Sequence, residues 1–234
     1  EIFGNGNHGI IFSRRCVNNI IRNNRSYNNA LHGIMLDRES NNNSVYNNYT
    51  QGNVDGIALW RSDLNAVYNN QVIENQRGIR INRRAADKVV YDNLIQRSEQ
   101  YGIYLYEESR ANWFFNNTAQ DNRIGFYIRS LNNYIFDNAV SGGESAIYLT
   151  PEASGNQIAR NQLSGSATGI YLKTAPNEFI ADNQFQNNRE NIRYTDEWYS
   201  GTVSQPGLSY FERFRHYFAA TRLWAQPAQN ETTP

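Results

Sequence analysis

His32-Gly33-Ile34-Met35-Leu36-Asp37-Arg38, Asp55-Gly56-Ile57-Ala58-Leu59-Trp60-Arg61 and Arg77-Gly78-Ile79-Arg80-Ile81-Asn82-Arg83 are one phrase written three times. Working outward from it, the Gly-Ile pair also stands at Gly9 and Gly102. Gly125-Phe126, Ala146-Ile147, Gly169-Ile170 and Asn191-Ile192 continue the series, at intervals of 21 to 24 residues. A second register, Asn24, Asn48, Asn70, Asn93, Asn117, Asn138, Asn161 and Asn183, keeps the same rhythm. Side chains alternate across a strand. The apolar residues one and three places after each glycine (Ile34/Leu36, Ile57/Leu59, Ile79/Ile81, Ile103/Leu105) therefore point inward. Two more apolar columns flank the register Asn: Ile21, Val45, Val67, Val90, Phe114, Ile135, Ile158 and Ile180 before it, and Ser26, Thr50, Val72, Ile95, Ala119, Val140, Leu163 and Phe185 after it. Three short strands per repeat around one stacked interior predict an all-β solenoid, a right-handed parallel β-helix of about nine rungs over residues 1–200. A leucine-rich repeat would show its own Leu consensus and a helical return leg, and a propeller blade needs about 40 residues.

Composition supports this reading. Thirty-five Asn occur in 234 residues, 34 of them before Ile192. Asn suits neither helix nor strand interiors but tolerates the left-handed turn conformation, and stacked carboxamides can form a hydrogen-bonded ladder. A second, partial ladder is expected at Asn29, Asn53, Asn75, Asn122 and Asn188, with Ser98 filling one step. Repeat character fades near Tyr194. Ser209-x-x-Glu212 has capping-box spacing, and Phe211, Phe214, Tyr217, Phe218 and Trp224 follow at helical intervals. Residues 201–234 thus read as a C-terminal cap with a helix over about 210–225 and a disordered tail.

Net charge is zero, but 20 of the 22 cations are Arg, the side chain suited to bidentate contact with carboxylates. One cysteine, Cys16, excludes an internal disulfide, and no apolar run is long enough to span a membrane. Phosphate-loop, zinc-ligand and nucleophile-elbow motifs are absent from the sequence; no metal, cofactor or nucleic acid is called for. The fifth place after glycine reads Arg14, Arg38, Arg61 and Arg83 in the first four rungs. Like charges about 4.8 Å apart repel, so the stripe calls for interleaved acids or an anionic ligand. Beside it lie His8, His32 and Asp55, just before their glycines, with Arg80 and Trp60 at outward positions. The rung spacing is close to the length of one sugar in an extended polysaccharide. The later rungs carry a tyrosine column, Tyr104, Tyr127, Tyr148 and Tyr171, which reads as structural or covered by the C-terminal segment.

The runs His8-Gly-Ile-Ile-Phe-Ser-Arg14, Asn23-Asn-Arg-Ser-Tyr-Asn28, Gly33-Ile-Met-Leu-Asp-Arg38, Asp55-Gly-Ile-Ala-Leu59 and Gly78-Ile-Arg80 resemble the periplasmic mannuronan C5-epimerases of alginate-producing bacteria, over roughly residues 5 to 95. The resemblance implies a β-helix of the carbohydrate-binding and sugar-hydrolase type that inverts C5 of mannuronate within the polymer. Arg14 would neutralise the target carboxylate. His8, His32, Arg38, Asp55, Trp60, Arg61, Arg80 and Arg83 would form the substrate groove. The family's base is the His of an Asp-Pro-His motif, which these 234 residues do not contain. The chain, opening on Glu1, is accordingly expected to be the C-terminal portion of such an enzyme, inactive alone and periplasmic or secreted. Two alternatives stay open: a non-catalytic β-helix that binds acidic polysaccharide or serves periplasmic assembly partners, as copper-site-maturation β-helices do, and a polyuronate lyase.

Overall fold

The computed structural model describes residues 1–173 and 178–195. The expected helix at 210–225 lies outside them. Twenty-six short strands form three sheets in which every neighbouring pair is parallel. One nine-stranded sheet carries the Gly-Ile strands, from Ile10–Ser13 through His32–Asp37, Asp55–Trp60 and Arg77–Asn82 to Glu190–Tyr194. A second has nine strands from Ile2–Phe3 to Gln184–Gln186, and a third has eight from Ile20–Arg22 to Phe179–Ala181. The chain visits the three in turn, so each rung pairs with the next one along: Ile34 with Ile57, Ile57 with Ile79, Ile79 with Ile103. This is a right-handed parallel β-solenoid of eight complete three-strand turns.

The interior is the stacked apolar columns. Ile34, Leu36, Ile57, Leu59, Ile79, Ile81, Ile103 and Leu105 are fully buried, and Val45, Val67, Val90, Phe114, Ile135 and Ile158 face them from the third sheet. Each such side chain contributes about 1.5–3 kcal/mol by leaving water. Glycine stands second in these strands because its α-carbon faces the neighbouring rung at close range. A Cβ on Gly33 would stand 2.7 Å from the carbonyl oxygen of Gly56 and 2.9 Å from Asn53 Nδ2, and neither of those atoms can move aside freely.

The first predicted Asn ladder forms along its whole length, and the second forms in part, from Asn29 through Asn53 to Asn75. Asn24, Asn48, Asn70, Asn93, Asn117, Asn138 and Asn161 each donate a backbone N–H and a side-chain N–H to Oδ1 of the register Asn on the next rung. The remaining Nδ2 hydrogen of Asn117 reaches back to Val90 O at 2.9 Å, which satisfies a strand-end carbonyl. Ser98 donates its backbone N–H to Asn122 Oδ1 at 2.9 Å, but its hydroxyl takes no bond from Asn75, whose amide turns to Thr50 O and Ile73 O, so the second ladder breaks between Asn75 and Ser98. A third ladder, not read from the sequence, runs through Asn19, Asn43, Asn65, Asn112, Asn133 and Asn156, with Lys88 in the place of one Asn and Glu178 at its end. Asn117→Ala would leave the Asn93 N–H and Val90 O without partners in the interior. At 1–3 kcal/mol per buried orphan, it is expected to lower stability by about 2–3 kcal/mol, measured by urea unfolding.

Outside, the third sheet carries a stack of five rings, Tyr46, Tyr68, Tyr91, Phe115 and Phe136, with successive centroids 4.8 to 5.4 Å apart. Their faces are turned to one another and not to solvent, so they act as a strap across the rungs.

Candidate functional site

The Gly-Ile sheet does not alternate strictly at its glycines. His32 pairs with Asp55 and Ile34 with Ile57, while Gly33 and Ile34 both turn inward. The residue before glycine is thereby put on the same outward face as the second and fourth residues after it. Four rungs of that face make a compact grid: His8, Ile11 and Ser13; His32, Met35 and Asp37; Asp55, Ala58 and Trp60; Arg77, Arg80 and Asn82.

Asp55 is its centre. The side chain is fully buried, and its carboxylate meets His32 Nδ1 at 2.9 Å, Arg77 Nε at 2.5 Å and an Arg80 terminal nitrogen at 3.4 Å. Burial alone pushes this carboxyl up; the His32 contact and the Arg77 and Arg80 charges outweigh it and hold the group below its ordinary value. The imidazoles of His8 and His32 stack at 4.9 Å, and His32 meets the edge of Trp60 at 5.3 Å. Burial, then the adjacent His32, lowers the pKa of His8 against the pull of Asp37 and Asp55. Two guanidiniums lie against the Trp60 ring, Arg80 at 5.1 Å and Arg83 at 4.7 Å, and Arg80 also lies 5.6 Å from the ring of Tyr104.

The arginine column borders this grid at the turn. Arg14, Arg38, Arg61 and Arg83 all have positive φ, between 44° and 58°. That conformation costs a side chain such as Arg roughly 1–2 kcal/mol relative to Gly. At another corner of the same rungs it is taken by Asn23, Asn47 and Asn69. Arg38 contacts Asp37 at 3.3 Å and Arg83 contacts Glu107 at 3.8 Å. Glu39 pairs with Arg15 instead, and Asp63 with Lys88. Among the described residues neither Arg14 nor Arg61 has an acid within 4.0 Å. The interleaved acids therefore neutralise the column only in part. Arg61 and Arg83 line an open cleft of about 810 Å³ with Asp63, Arg84, Glu107 and Glu108. Another groove, about 590 Å³, lies at the Asn23, Asn47 and Asn69 corner, away from this chemistry.

His8, His32, Asp55, Trp60 and Arg80 thus come together in one cluster, with Arg83 joining it over Trp60. Arg14, Arg38 and Arg61 stand at the turn beside it, exposed. Sequence reasoning did not name Arg77 as a site residue, although its bond to Asp55 is the shortest in the cluster. Arg77 stood in the same column as His8, His32 and Asp55, and the alternation break at glycine was the signal that it faces out.

The fold recurs in solved structures. The crystal structure of the periplasmic alginate epimerase AlgG superimposes with a TM-score of 0.67 at 18% identity, over 81% of this chain and 48% of that one. The A-module of the Azotobacter vinelandii mannuronan C-5 epimerase AlgE6 gives 0.53 at 16% identity, over 82% and 59%. The alginate lyase from Paenibacillus sp. str. FPU-7 gives 0.51 at 10%, over 80% and 93%. At these identities the likeness is one of fold, and the chain spans about half the length of AlgG. A comparison with curated protein sequences gave no match.

One family profile does match, that of NosD, described as periplasmic copper-binding protein, over residues 1–129 and 84–207. Among the described residues no three His, Cys, Asp or Glu groups are gathered to hold a metal. The Asp55 carboxylate is taken by two guanidiniums, and the Cys16 thiol donates to Ser13 O at 3.3 Å. Two matched segments that together cover most of the sequence settle its kinship: the chain belongs to the NosD family.

Proposed function

We propose that the His/Asp/Arg face of the first four rungs binds an extended acidic polysaccharide, one uronate per rung, in a periplasmic or secreted protein that epimerises polymannuronate at C5. One observation carries this reading: four arginines at one-rung spacing, held in an unfavourable backbone conformation and incompletely matched by acids, beside a buried cluster with two guanidiniums for one carboxylate. The likeness of fold to AlgG, AlgE6 and an alginate lyase supports polyuronate as the polymer.

The chemistry follows from the substrate. The C5 proton of mannuronate lies α to a carboxylate, and removing it places a second negative charge on that group. Arg14, at the turn that follows the first Gly-Ile strand, would neutralise the charge as it develops. The proton returned to the opposite face gives guluronate. Arg38, Arg61 and Arg83 would hold neighbouring uronates. The resemblance puts the base in an Asp-Pro-His motif that these 234 residues lack, so the chain is expected to bind polymannuronate without changing it.

Family membership favours a second reading, a non-catalytic β-helix in periplasmic assembly. Isothermal titration with polymannuronate tests binding. The wild-type chain should bind, and Arg38→Ala and Arg61→Ala should each weaken the complex by about threefold to tenfold at low salt, with a smaller effect at high salt. Unchanged affinity would reduce the column to solvated surface. Proton NMR of polymer incubated with a longer form carrying the motif should show guluronate. No change in C5 configuration would leave the binding module, and absorbance from an unsaturated product would reveal a lyase.

A further inference from the structure

Nine side-chain polar atoms among the described residues are buried without a hydrogen-bond partner, and five of them belong to one face over four rungs: His8 Nδ1, His32 Nδ1, Trp60 Nε1, Arg80 Nε and Asn82 Oδ1. The His32 nitrogen stands 2.9 Å from an Asp55 oxygen and so is not without a contact. Three of the remaining four cluster more tightly. Trp60 and Asn82 are register partners on adjacent strands, and Arg80 lies against the Trp60 ring. Buried polar atoms are seldom left unmatched, and a group of them on one surface marks a place where a ligand completes the set.

The chemistry of that ligand can be read from the atoms. An indole N–H and a guanidinium Nε–H only donate, so they require an acceptor. The Asn82 oxygen only accepts, so it requires a donor. Charge adds a third condition: Asp55 supplies one negative charge against the two of Arg77 and Arg80, so one more anion is accommodated. The guanidinium is also fixed before any ligand arrives, by Trp60, by Tyr104 and by Asp55. Ala58, between Asp55 and Trp60 on their strand, contributes only a methyl group, which leaves space for these longer side chains to converge.

We infer that Trp60, Arg80 and Asn82 form a dedicated subsite for a single hexuronate ring, in which the carboxylate accepts from Trp60 Nε1–H and Arg80 Nε–H and a ring hydroxyl donates to Asn82. The subsite deepens the polyuronate reading and rests on it. It makes Trp60 a specificity determinant through its nitrogen and not only through its ring face. A sulfated polymer also carries an anion, acceptor oxygens and hydroxyls, so it is the control that separates a uronate carboxylate from any anionic sugar.

The test follows the indole proton. In ¹⁵N–¹H spectra of the 234-residue chain, the Trp60 Nε1–H signal is assigned by its loss in Trp60→Phe. Titration with a short oligomannuronate should move it downfield, and the carboxyl-reduced neutral oligomer should not. Trp60→Phe keeps a ring but removes the donor, and should weaken oligomannuronate binding about tenfold, the range for a hydrogen bond to a charged group. Arg80→Lys keeps the charge without the fixed fork, and should weaken it by a similar factor at a temperature well below the variant's own melting point, where it is fully folded. A still indole signal, or one that responds equally to the neutral oligomer or to dextran sulfate, overturns the subsite. If Trp60→Phe and Arg80→Lys bind normally while Arg38→Ala and Arg61→Ala do not, the subsite is wrong and the groove stands. If no variant changes affinity, the polyuronate reading fails first.

Discussion

Asp55→Ala is expected to lower the unfolding free energy by about 3–5 kcal/mol, the loss typical of breaking a buried ionic cluster by removing one member. The carboxylate is fully buried and serves His32, Arg77 and Arg80 together; without it, two guanidiniums face each other in the wall of the solenoid with nothing between them. Arg77→Ala in the Asp55→Ala background should restore part of the loss, because the repulsion it relieves exists only when Asp55 is absent. Acid should reproduce the effect. A carboxyl held below its ordinary value contributes stability that is fully present above the unfolded pKa of 3.8 and lost as pH falls through the lower folded value. The difference between wild type and Asp55→Asn should therefore shrink below about pH 4. Urea denaturation at pH 7 and at pH 3 measures both. A cost below about 1 kcal/mol at pH 7 would show that the cluster is held together without its centre.

Lys88→Asn should do the opposite and stabilise the protein. Lys88 is fully buried where the third ladder calls for Asn. Its Nζ donates to Ala86 O at 3.0 Å and stands 3.7 Å from Asp63. Burial, against the attraction of Asp63 and Asp87, brings its pKa from 10.5 down to about 7. At 1.36 kcal/mol per pH unit, the charged form costs the fold on the order of 5 kcal/mol. The sign is fixed by proton uptake. Between about pH 7 and 10.5 the unfolded chain binds the proton more tightly, so stability contributed at this position rises with pH. Below pH 7 the penalty is present in full. Asn at 88 removes the charge and offers a carboxamide between Asn65 and Asn112. The lysine stem also loses apolar contact, which leaves an expected net gain of a few kcal/mol, or about 5–10 °C in Tm at pH 7. The gap between variant and wild type should close toward pH 10.5. A gap that is absent, or that widens with alkali, would mean that Lys88 is well accommodated as it stands.

These two residues also show what the sequence could and could not disclose. The inward columns were legible because every rung repeats the same demand: Ile34, Ile57, Ile79 and Ile103 lie one above another, and a polar residue in any of them would be buried unpaired. The ladders of Asn24 and Asn29 were legible for the same reason. The ladder of Asn19 keeps that spacing, but Lys88 interrupts it and Glu178 ends it, and a buried lysine has no sequence signature apart from the column it breaks. The candidate site was legible as a set of residue types and not as an arrangement. Strict alternation separates Asp55 from Arg80, three residues on in the repeat; only the turning inward of both glycine and its successor brings them to one face. Nor could spacing reveal that Arg14, Arg38, Arg61 and Arg83 all sit at positive φ, since no local preference of Arg leads there.

The Asn ladders have a direction. Every rung donates to the carboxamide oxygen of the rung that follows, from Asn24 to Asn183 without reversal. The Asn24 end therefore shows acceptors and the Asn183 end shows donors, as if the solenoid had a plug and a socket. Another rung, or another solenoid, can continue the seam only in the same sense, and two like ends brought together would set oxygen against oxygen or N–H against N–H. The molecule is vectorial along its axis, and a polymer lying on its Gly-Ile sheet would rest on a surface that distinguishes the polymer's two directions.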